Sequence, residues 1–283
     1  MGGRHAARVP QGAARYGIGF VGGGNMATAM IRRFIAAGVY APAAICASDV
    51  DAAKRAALTR QLKVAAVADN TRVARDSAVV VLAVKPQIID DVLAQLQPCV
   101  TRRQLFVSIA AGIPLARLER GLGDAARVVR VMPNTPALLG KGMSVAVRGR
   151  RATAADERLV LALLRTVGKA RALRDERLLD AVTGVSGSGP AYVYRFAEAL
   201  IAGGVAAGLA PDVATELVLQ TMTGAAAMLE EAGETPQRLR EMVTSPGGTT
   251  LAGLTELERR GFADAVTACV LSATRRAAEL GTG

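Results

Sequence analysis

The 283 residues are 51% hydrophobic and 21% charged, a balance that excludes a disordered chain and allows two domains of ordinary size. The net charge is +11, but aromatic residues make up only 3% and the basic residues are mostly scattered arginines, so we expect no nucleic-acid partner. No apolar run reaches the roughly 18 residues that a membrane helix needs, so we expect no membrane partner either.

The use of cysteine and histidine excludes several kinds of site. Cys46, Cys99 and Cys269 are far apart and odd in number, which indicates neither a disulfide framework nor a metal site and suits a reducing cytoplasm. The single histidine, His5, lies in the segment 1–15, which contains arginines and no acidic residue. This segment resembles a transit peptide in composition, but it is short, rich in glycine and without a clear amphipathic period. We therefore predict a disordered extension at residues 1–15.

From residue 16 to about residue 175, strand patterns and helix patterns alternate with short connections. Strands are predicted at 18–21, 44–47, 64–67, 78–84, 105–109, 127–131, 143–147 and 170–173. Helices are predicted at 25–37, 52–60, 87–96, 114–120 and 154–167, and Asn70 begins a further short helix. This alternation predicts an α/β fold whose first domain, residues 16–175, is a Rossmann-like, doubly wound parallel sheet.

The first predicted strand runs directly into a glycine-rich turn. Gly22, Gly24 and Ala27 have the spacing G-x-G-x-x-[GA], in which the first glycine allows a tight turn and the second lets a pyrophosphate approach the backbone. The helix that follows would present its unpaired N–H groups to this anion. A packed strand–turn–helix without a ligand remains the alternative at this point.

Small or polar residues follow the carboxyl ends of several predicted strands. These residues include Ser48, Asp49, Asn70, Lys85, Pro86, Ala110, Gly112, Met132 and Asn134. Ligands of doubly wound sheets bind beyond this edge of the sheet. Asp49 lies about 20 residues or slightly more past the glycines, where an acidic side chain binds a ribose hydroxyl.

After about residue 175 the pattern becomes entirely helical. Helices are predicted at 176–184, 190–208, 211–231, 235–243, 249–260 and 262–280. We therefore predict a second domain, residues 176–283, made of helices with many small and apolar positions. Such helices favour packing against a second copy of the chain, although an internal core is the alternative.

Two glycine-rich segments of the helical half indicate an anion site. In 184–192, Pro190 suits the first turn of a helix and Ser188 suits its cap. In 244–250, two glycines precede a helix and two threonines begin it, which is typical of a carboxylate receptor. Helix-capping loops without a ligand are the alternative for each segment.

The chain lacks the residue sets of several chemistries. No Ser-His-Asp set, paired-carboxylate motif or cysteine cluster is present. Hydride transfer to a protonated imine needs none of these, because the nitrogen already carries the charge and carbon accepts the hydride.

Six segments together resemble the pyrroline-5-carboxylate reductases, enzymes of proline biosynthesis and thus of amino-acid biosynthesis. These segments are 18–27, 83–86, 108–112, 132–136, 184–192 and 245–250, and they occur in the family's order across residues 16 to 280. The last two are far more specific than the glycine turn. The resemblance implies an oxidoreductase that reduces 1-pyrroline-5-carboxylate to L-proline with NADPH or NADH.

The resemblance also implies site residues and an assembly. Cofactor contacts are implied at Val21, Gly22, Gly23, Gly24, Asn25, Met26, Ser48, Asp49, Asn70, Ala83, Val84, Lys85, Pro86, Ala110 and Ala111. Substrate contacts are implied at Ser245, Gly247, Gly248, Thr249 and Thr250, with the Thr250 hydroxyl on the ring nitrogen as the catalytic contact. The helical half becomes a dimerisation and substrate domain, in a homodimer or a decamer of five dimers.

The cofactor preference and the substrate stay open at this stage. Asp49 favours a free ribose 2′-hydroxyl over a 2′-phosphate, so we predict that NADH serves at least as well as NADPH, although Lys54 or Arg55 could reach a phosphate. Lys85 is a weaker candidate for a catalytic acid. The alternatives are a reductase of a related cyclic imino acid, such as the six-membered homologue, and a non-catalytic nucleotide-binding relative.

Overall fold

The computed structural model describes residues 14–282, which form two compact units. The first unit contains residues 14–187 and 273–282, and the second is Ser188–Ser272. Most of the predicted N-terminal extension, residues 1–15, lies outside the described residues. The predicted domains, 16–175 and 176–283, remain a prediction. The unit around the sheet continues to residue 187, since Leu179 is fully buried in its core.

The first unit is built on an eight-stranded sheet. Its strands are β1 (Tyr16–Val21), β2 (Ile45–Ser48), β3 (Ala65–Val67), β4 (Ser77–Leu82), β5 (Leu105–Ser108), β6 (Arg127–Met132), β7 (Gly142–Arg148) and β8 (Gly168–Ala172). The strand order is β3-β2-β1-β4-β5-β6-β7-β8. Every predicted strand is present, with bounds within two residues of the prediction, and the Rossmann-like doubly wound arrangement is confirmed.

The predicted parallel sheet is mostly parallel, with one antiparallel pairing that the prediction did not include. β7 pairs antiparallel to β6, and β8 pairs parallel to β7, so β7 and β8 run against the other six strands. Only residues 133–141 connect β6 to β7, and they contain a short 3₁₀ helix, Thr135–Leu139. A parallel crossover needs a dozen or more residues, so this connection can only return the chain in the opposite direction.

The helices of the first unit cover both faces of the sheet. They are α1 (Asn25–Ala36), α2 (Ala52–Leu62), α3 (Asn70–Asp76), α4 (Ile89–Leu96), α5 (Leu115–Leu122), α6 (Ala154–Leu164) and α7 (Leu178–Val182). Asp51 caps α2, since its carboxylate accepts from the N–H of Ala53 at 2.8 Å. α3 begins at Asn70 as predicted, and Asp69 is its cap.

Alternate residues of the strands point to opposite faces of the sheet and pack into two apolar layers. Ile18 and Phe20 of β1 pack with Phe34 of α1 on one face. Val80 of β4 and Phe106 of β5 belong to the layer on the other face. All five side chains are fully buried. Helices therefore seal both faces of the sheet, and its strand ends are left as the accessible edges.

The second unit consists of helices whose apolar side chains remain largely exposed. Its helices are α8 (Gly189–Ala206), α9 (Pro211–Glu231), α10 (Pro236–Met242), α11 (Thr249–Arg259) and the first part of α12 (Phe262–Thr282). Within these described helices, α8, α10 and α11 bury no residue, and α9 buries only Ala214. Within one chain, these apolar positions therefore do not form an internal core. No helix between residues 14 and 282 combines the length and the apolar character that crossing a membrane demands.

Candidate functional site

The glycine turn after β1 has the backbone geometry that the sequence indicates. Gly22 has a φ of +101°, and a Cβ at this position would lie 2.6 Å from the carbonyl oxygen of Ala83. The N–H of Gly22 donates to the carbonyl of Ser48 at 2.9 Å. Any side chain at residue 22 would be strained and would strike backbone, so glycine is required here.

Gly24 leaves room for a ligand rather than for packing. It occupies the N-cap position of α1, and a Cβ built on it would meet no atom within 4 Å. The first N–H groups of a helix have no acceptor within the helix. No side chain of the described residues caps α1, and its first turn contains no acidic residue. The turn is therefore an open, positively polarised cradle that fits the pyrophosphate of a dinucleotide.

Asp49 follows β2 and braces the glycine turn. One of its carboxylate oxygens accepts from the N–H of Gly23 at 2.9 Å, and the other accepts from the N–H of Asp51 at 2.9 Å. The ammonium group of Lys54 lies 3.8 Å from the carboxylate. Arg55 donates from its guanidinium to the carbonyl of Asp49 at 2.8 Å. The acidic side chain thus lies beside the turn, as the sequence predicts.

Ser48 and Asn70 form a short polar chain at the same edge of the sheet. Ser48 is fully buried, and its hydroxyl donates to the Asn70 side-chain carbonyl at 2.7 Å. The amide of Asn70 donates to the side chain of Gln95 on α4 at 3.0 Å. Ser48 therefore orients Asn70, and Asn70 is the half-buried member at the edge. Sequence reasoning missed Gln95, because a polar residue in the middle of a helix gives no local signal of this contact.

The segments after β4 and β5 complete this edge. The N–H of Ala83 donates to the carbonyl of Val21 at 2.8 Å, so residues 83–86 leave the sheet beside the glycine turn. Val21 is fully buried, whereas Lys85 is exposed. Ala110 is buried and Ala111 exposed. The first unit thus gathers the predicted cofactor residues that follow β1, β2, β3, β4 and β5 at one edge of the sheet.

The 245–250 turn of the second unit has the form of an anion receptor. Gly247 has a φ of +68°, and the N–H of Gly248 donates to the carbonyl of Ser245 at 3.0 Å. Gly248 occupies the N-cap position of the 11-residue α11, where no described side chain accepts a capping hydrogen bond. Thr249 is exposed and Thr250 half-buried. The free N–H groups of the first turn can therefore bind a carboxylate.

The segment 184–192 is largely helical, including most of the residues 185–189 that we predicted to lie between two helices. A π-helical turn, Thr183–Gly187, joins α7 to α8. Ser188 holds the N-cap position of α8 in a helical conformation, and within the described chain its side chain makes no capping bond. Since α7 continues directly into this turn, the chain has no extended residue from which a serine could cap α8.

Asn134 fixes the π-helical turn to the sheet. Its side-chain carbonyl accepts from the N–H of Met143 at 2.8 Å, and its amide donates to the carbonyl of Ser186 at 3.0 Å. Gly187 lies against the methyl group of Met132. The segment 132–136 therefore positions the turn before α8.

Glu176 is a further positioning residue that the sequence did not reveal. Its carboxylate accepts from the N–H of Leu115, at the start of α5, and from the guanidinium of Arg130, both at 2.7 Å. The sequence separations of 61 and 46 residues leave no local pattern that would have indicated these contacts.

Comparison with known proteins covers both halves of the chain. The family model described as pyrroline-5-carboxylate reductase dimerisation matches residues 176–280, and the model described as NADP oxidoreductase, coenzyme F420-dependent, matches residues 17–112. A pyrroline-5-carboxylate reductase of Glycine max is 43% identical over 272 residues, which are 96% of this chain and 98% of the relative.

Solved structures show the same similarity. The pyrroline-5-carboxylate reductase of Coxiella burnetii matches with a TM-score of 0.87 and 34% identity, over 94% of this chain and 98% of that one. The pyrroline carboxylate reductase of Plasmodium falciparum, solved with NADP bound, matches with a TM-score of 0.85 and 30% identity, over 95% of this chain and 100% of that one. With relatives this similar along almost its whole length, the chain belongs to the pyrroline-5-carboxylate reductase family.

Proposed function

We propose that the protein reduces 1-pyrroline-5-carboxylate to L-proline with a reduced nicotinamide dinucleotide, the final step of proline biosynthesis. The observation that carries this proposal is the 43% identity to a reductase of that name over 96% of the chain. The match includes both the glycine turn after β1 and the receptor-like turn before α11. Reduction of an imino acid such as 1-pyrroline-5-carboxylate by a dinucleotide needs both a dinucleotide site and a carboxylate site.

In this proposal the carboxyl edge of the sheet holds the dinucleotide. Residues 22–26 surround the pyrophosphate, and the N–H groups of residues 24–26 bind it, because those of Gly22 and Gly23 already donate to Ser48 and Asp49. Asn70 lies at the adenosine ribose. Residues 83–86 together with Ala110 and Ala111 line the nicotinamide side. The cofactor, when bound, supplies the hydride, so the protein has to position the two reactants and exclude water.

The turn before α11 holds the substrate in this proposal. Backbone groups of Ser245, Gly247, Gly248 and Thr249 hold the carboxylate, whose charge the positive end of α11 stabilises. The N–H of Gly248 closes the turn by donating to Ser245. The Thr250 hydroxyl bonds the ring nitrogen and thereby orients the imine carbon. This division of roles is supported by the uncapped start of α11 and by the positive φ of Gly247.

NADH is proposed to serve at least as well as NADPH. The Asp49 carboxylate stands beside the glycine turn, where it would accept from a ribose 2′-hydroxyl and repel a 2′-phosphate. Lys54 and Arg55 already contact Asp49 through its carboxylate and its carbonyl, respectively. Steady-state kinetics with both cofactors test this: a strong NADPH preference that Asp49→Ser leaves unchanged would refute it.

The assembly is proposed to be a homodimer, which five-fold association could extend to a decamer. The matched dimerisation model and the exposed apolar helices of the second unit support a dimer. Light scattering of the purified protein distinguishes the masses of one, two and ten chains. A cytoplasmic location is proposed with it, since three unpaired cysteines suit a reducing compartment.

The activity is tested by following reduced-nicotinamide absorbance with pyrroline-5-carboxylate and, in parallel, with its six-membered homologue. We expect substrate-dependent oxidation of NADH and faster turnover of the five-membered ring. Turnover of the larger ring alone would make the protein a reductase of a related imino acid. Cofactor binding without turnover of either ring would make it a non-catalytic nucleotide-binding relative.

A further inference from the structure

The side chain of Asn70, at the start of α3, is held from two sides at the carboxyl edge of the sheet. It is half-buried, and its carbonyl oxygen accepts from the hydroxyl of Ser48 at 2.7 Å. The backbone carbonyl of Ser48 in turn accepts from the N–H of Gly22 at 2.9 Å. Ser48 therefore links Asn70 directly to the glycine turn.

The second partner of Asn70 comes from α4. The amide nitrogen of Asn70 donates to the side-chain carbonyl of Gln95 at 3.0 Å. Val73 and Ala74 of α3 and Leu93 of α4 belong to the same apolar layer, so the core already fixes both helices on one face of the sheet. Gln95 itself is exposed, so packing in that core does not account for its side chain.

The two contacts use only half of the hydrogen-bonding capacity of Asn70. A carboxamide has two acceptor lone pairs and two N–H donors. Ser48 occupies one lone pair, and Gln95 takes one N–H. One acceptor and one donor remain. Two neighbouring hydroxyls of a ribose complement this set, because one hydroxyl can donate while the other accepts.

Ser48 alone does not decide which end of the carboxamide faces α4. A hydroxyl can donate to the carbonyl oxygen or accept from the amide nitrogen. In the second case, its hydrogen could turn to the carbonyl of Phe20, which lies 3.4 Å from the Ser48 oxygen. An acceptor on α4 is therefore needed to keep the nitrogen of Asn70 on that side, and the carbonyl of Gln95 is this acceptor.

We propose that Gln95 is a positioning residue for the adenosine ribose, because it holds the Asn70 carboxamide in the one orientation that matches the ribose hydroxyls. Gln95 does not touch the cofactor in this proposal. The proposal rests on the proposed role of Asn70 at the ribose and extends the cofactor site to α4, a helix that contains none of the predicted cofactor residues. A neutral hydrogen bond of this kind changes an affinity by about two- to tenfold.

Titration calorimetry of the full chain with ADP tests the proposal, because ADP carries the adenosine ribose and the pyrophosphate but no nicotinamide. Gln95→Leu removes the acceptor and should weaken ADP binding by about threefold or more. The same variant should bind 2′,3′-dideoxy-ADP, which lacks both ribose hydroxyls, as tightly as the wild type does. Gln95→Glu keeps an accepting oxygen and should bind ADP like the wild type at physiological salt. Gln97→Leu, at an exposed glutamine directly after α4, is the matched control and should leave both affinities unchanged.

A double-mutant cycle with Asn70→Ala separates this proposal from the proposed function. Once Asn70 is removed, Gln95→Leu should cause no further loss of ADP affinity. The proposal is overturned if Gln95→Leu binds ADP as tightly as Gln97→Leu, if Gln95→Glu loses as much affinity as Gln95→Leu, or if the loss is equal for 2′,3′-dideoxy-ADP. It is also overturned if the effect of Gln95→Leu persists in Asn70→Ala. Unchanged ADP binding in Asn70→Ala would overturn the ribose role of Asn70 in the proposed function as well.

Discussion

The two units of this chain differ in how far they bury their apolar side chains. Phe20, Phe34 and Phe106 of the sheet unit are all fully buried, whereas Phe196 and Phe262 of the helical unit are 39% and 41% exposed although their rings contact each other. The sheet unit therefore completes its own core, and the helical unit leaves apolar surface that a second copy can cover.

The largest expected effect comes from placing charge on the exposed face of α9. Leu217 and Met228 are 52% and 49% exposed, and their spacing of 11 residues puts them on one face of the helix. Leu217→Glu/Met228→Glu should convert the dimer to monomers, since each apolar side chain contributes about 1.5–3 kcal/mol when buried. Light scattering measures the mass.

The control for this change is Leu139→Glu, at a position that is 80% exposed in the sheet unit. It should leave the mass unaltered. An intact dimer in Leu217→Glu/Met228→Glu would mean that this face of α9 is not part of the contact between copies.

The glycine turn offers the next largest effect and separates folding from binding. Gly22→Ala places a Cβ 2.6 Å from the Ala83 carbonyl oxygen at a φ of +101°, so we expect a loss of about 1–3 kcal/mol of stability. In Gly24→Ala the added Cβ meets no atom within 4 Å, so the variant should keep the thermal midpoint of the wild type. It should nevertheless bind NADH more weakly. Thermal unfolding and fluorescence titration report the two quantities. Equal NADH affinity in Gly24→Ala and the wild type would contradict the pyrophosphate role of this turn.

Thr250 allows a comparable test in the helical unit. Thr250→Ala should lower kcat by about tenfold through the lost hydrogen bond to the ring nitrogen and leave cofactor affinity nearly unchanged. Thr255→Ala on the same helix is the matched control, because the Thr255 hydroxyl donates only to the Leu251 carbonyl among its described contacts, at 2.9 Å. Steady-state kinetics of both variants decide: identical kcat values would remove Thr250 from the reaction.

The smallest expected effect concerns the cap of α3. Hydrogen bonds from the hydroxyl and the N–H of Thr71 hold the pKa of the Asp69 carboxyl below its usual value. The cap therefore stabilises the fold above the unfolded-state pKa, and this stabilisation is lost as the pH falls through the lowered folded-state pKa. Asp69→Ala should cost about 1 kcal/mol at neutral pH and progressively less in acid.

Asp69→Asn serves as the comparison, because an amide caps a helix without titrating. Its thermal midpoint at neutral pH should stay close to that of the wild type. A constant difference between wild type and Asp69→Ala down to strongly acidic pH would contradict a role for the ionised carboxylate.

Local signals predicted most of this fold, and long-range contacts account for what they missed. The strands β4 and β5, the start of α3 at Asn70 and the glycine turn depend on neighbours in sequence, so their residue types indicate them directly. The direction of β7 depends on the length of the connection between β6 and β7, which the pattern of strands alone does not take into account. The segment 184–192 is helical because α7 continues directly into the π-helical turn. The glycine-rich composition of this segment gives no indication of a helix.

In the candidate site, too, the features set by neighbouring residues could be predicted and the long-range contacts could not. The open backbone at Gly24 and the uncapped start of α11 follow from residues a few positions apart. The contacts of Asn70 with Gln95 and of Glu176 with Arg130 join residues 25 and 46 positions apart. Side-chain contacts across such separations are set by packing of the whole unit and leave no local pattern.

A crystal structure with oxidised cofactor and L-proline bound together tests the central claim most directly. It should show the proline carboxylate on the N–H groups of the 245–250 turn and the proline ring carbon about 3–3.5 Å from nicotinamide C4, within one subunit or across the dimer. A 245–250 turn remote from every nicotinamide in the assembly would contradict the proposed hydride transfer.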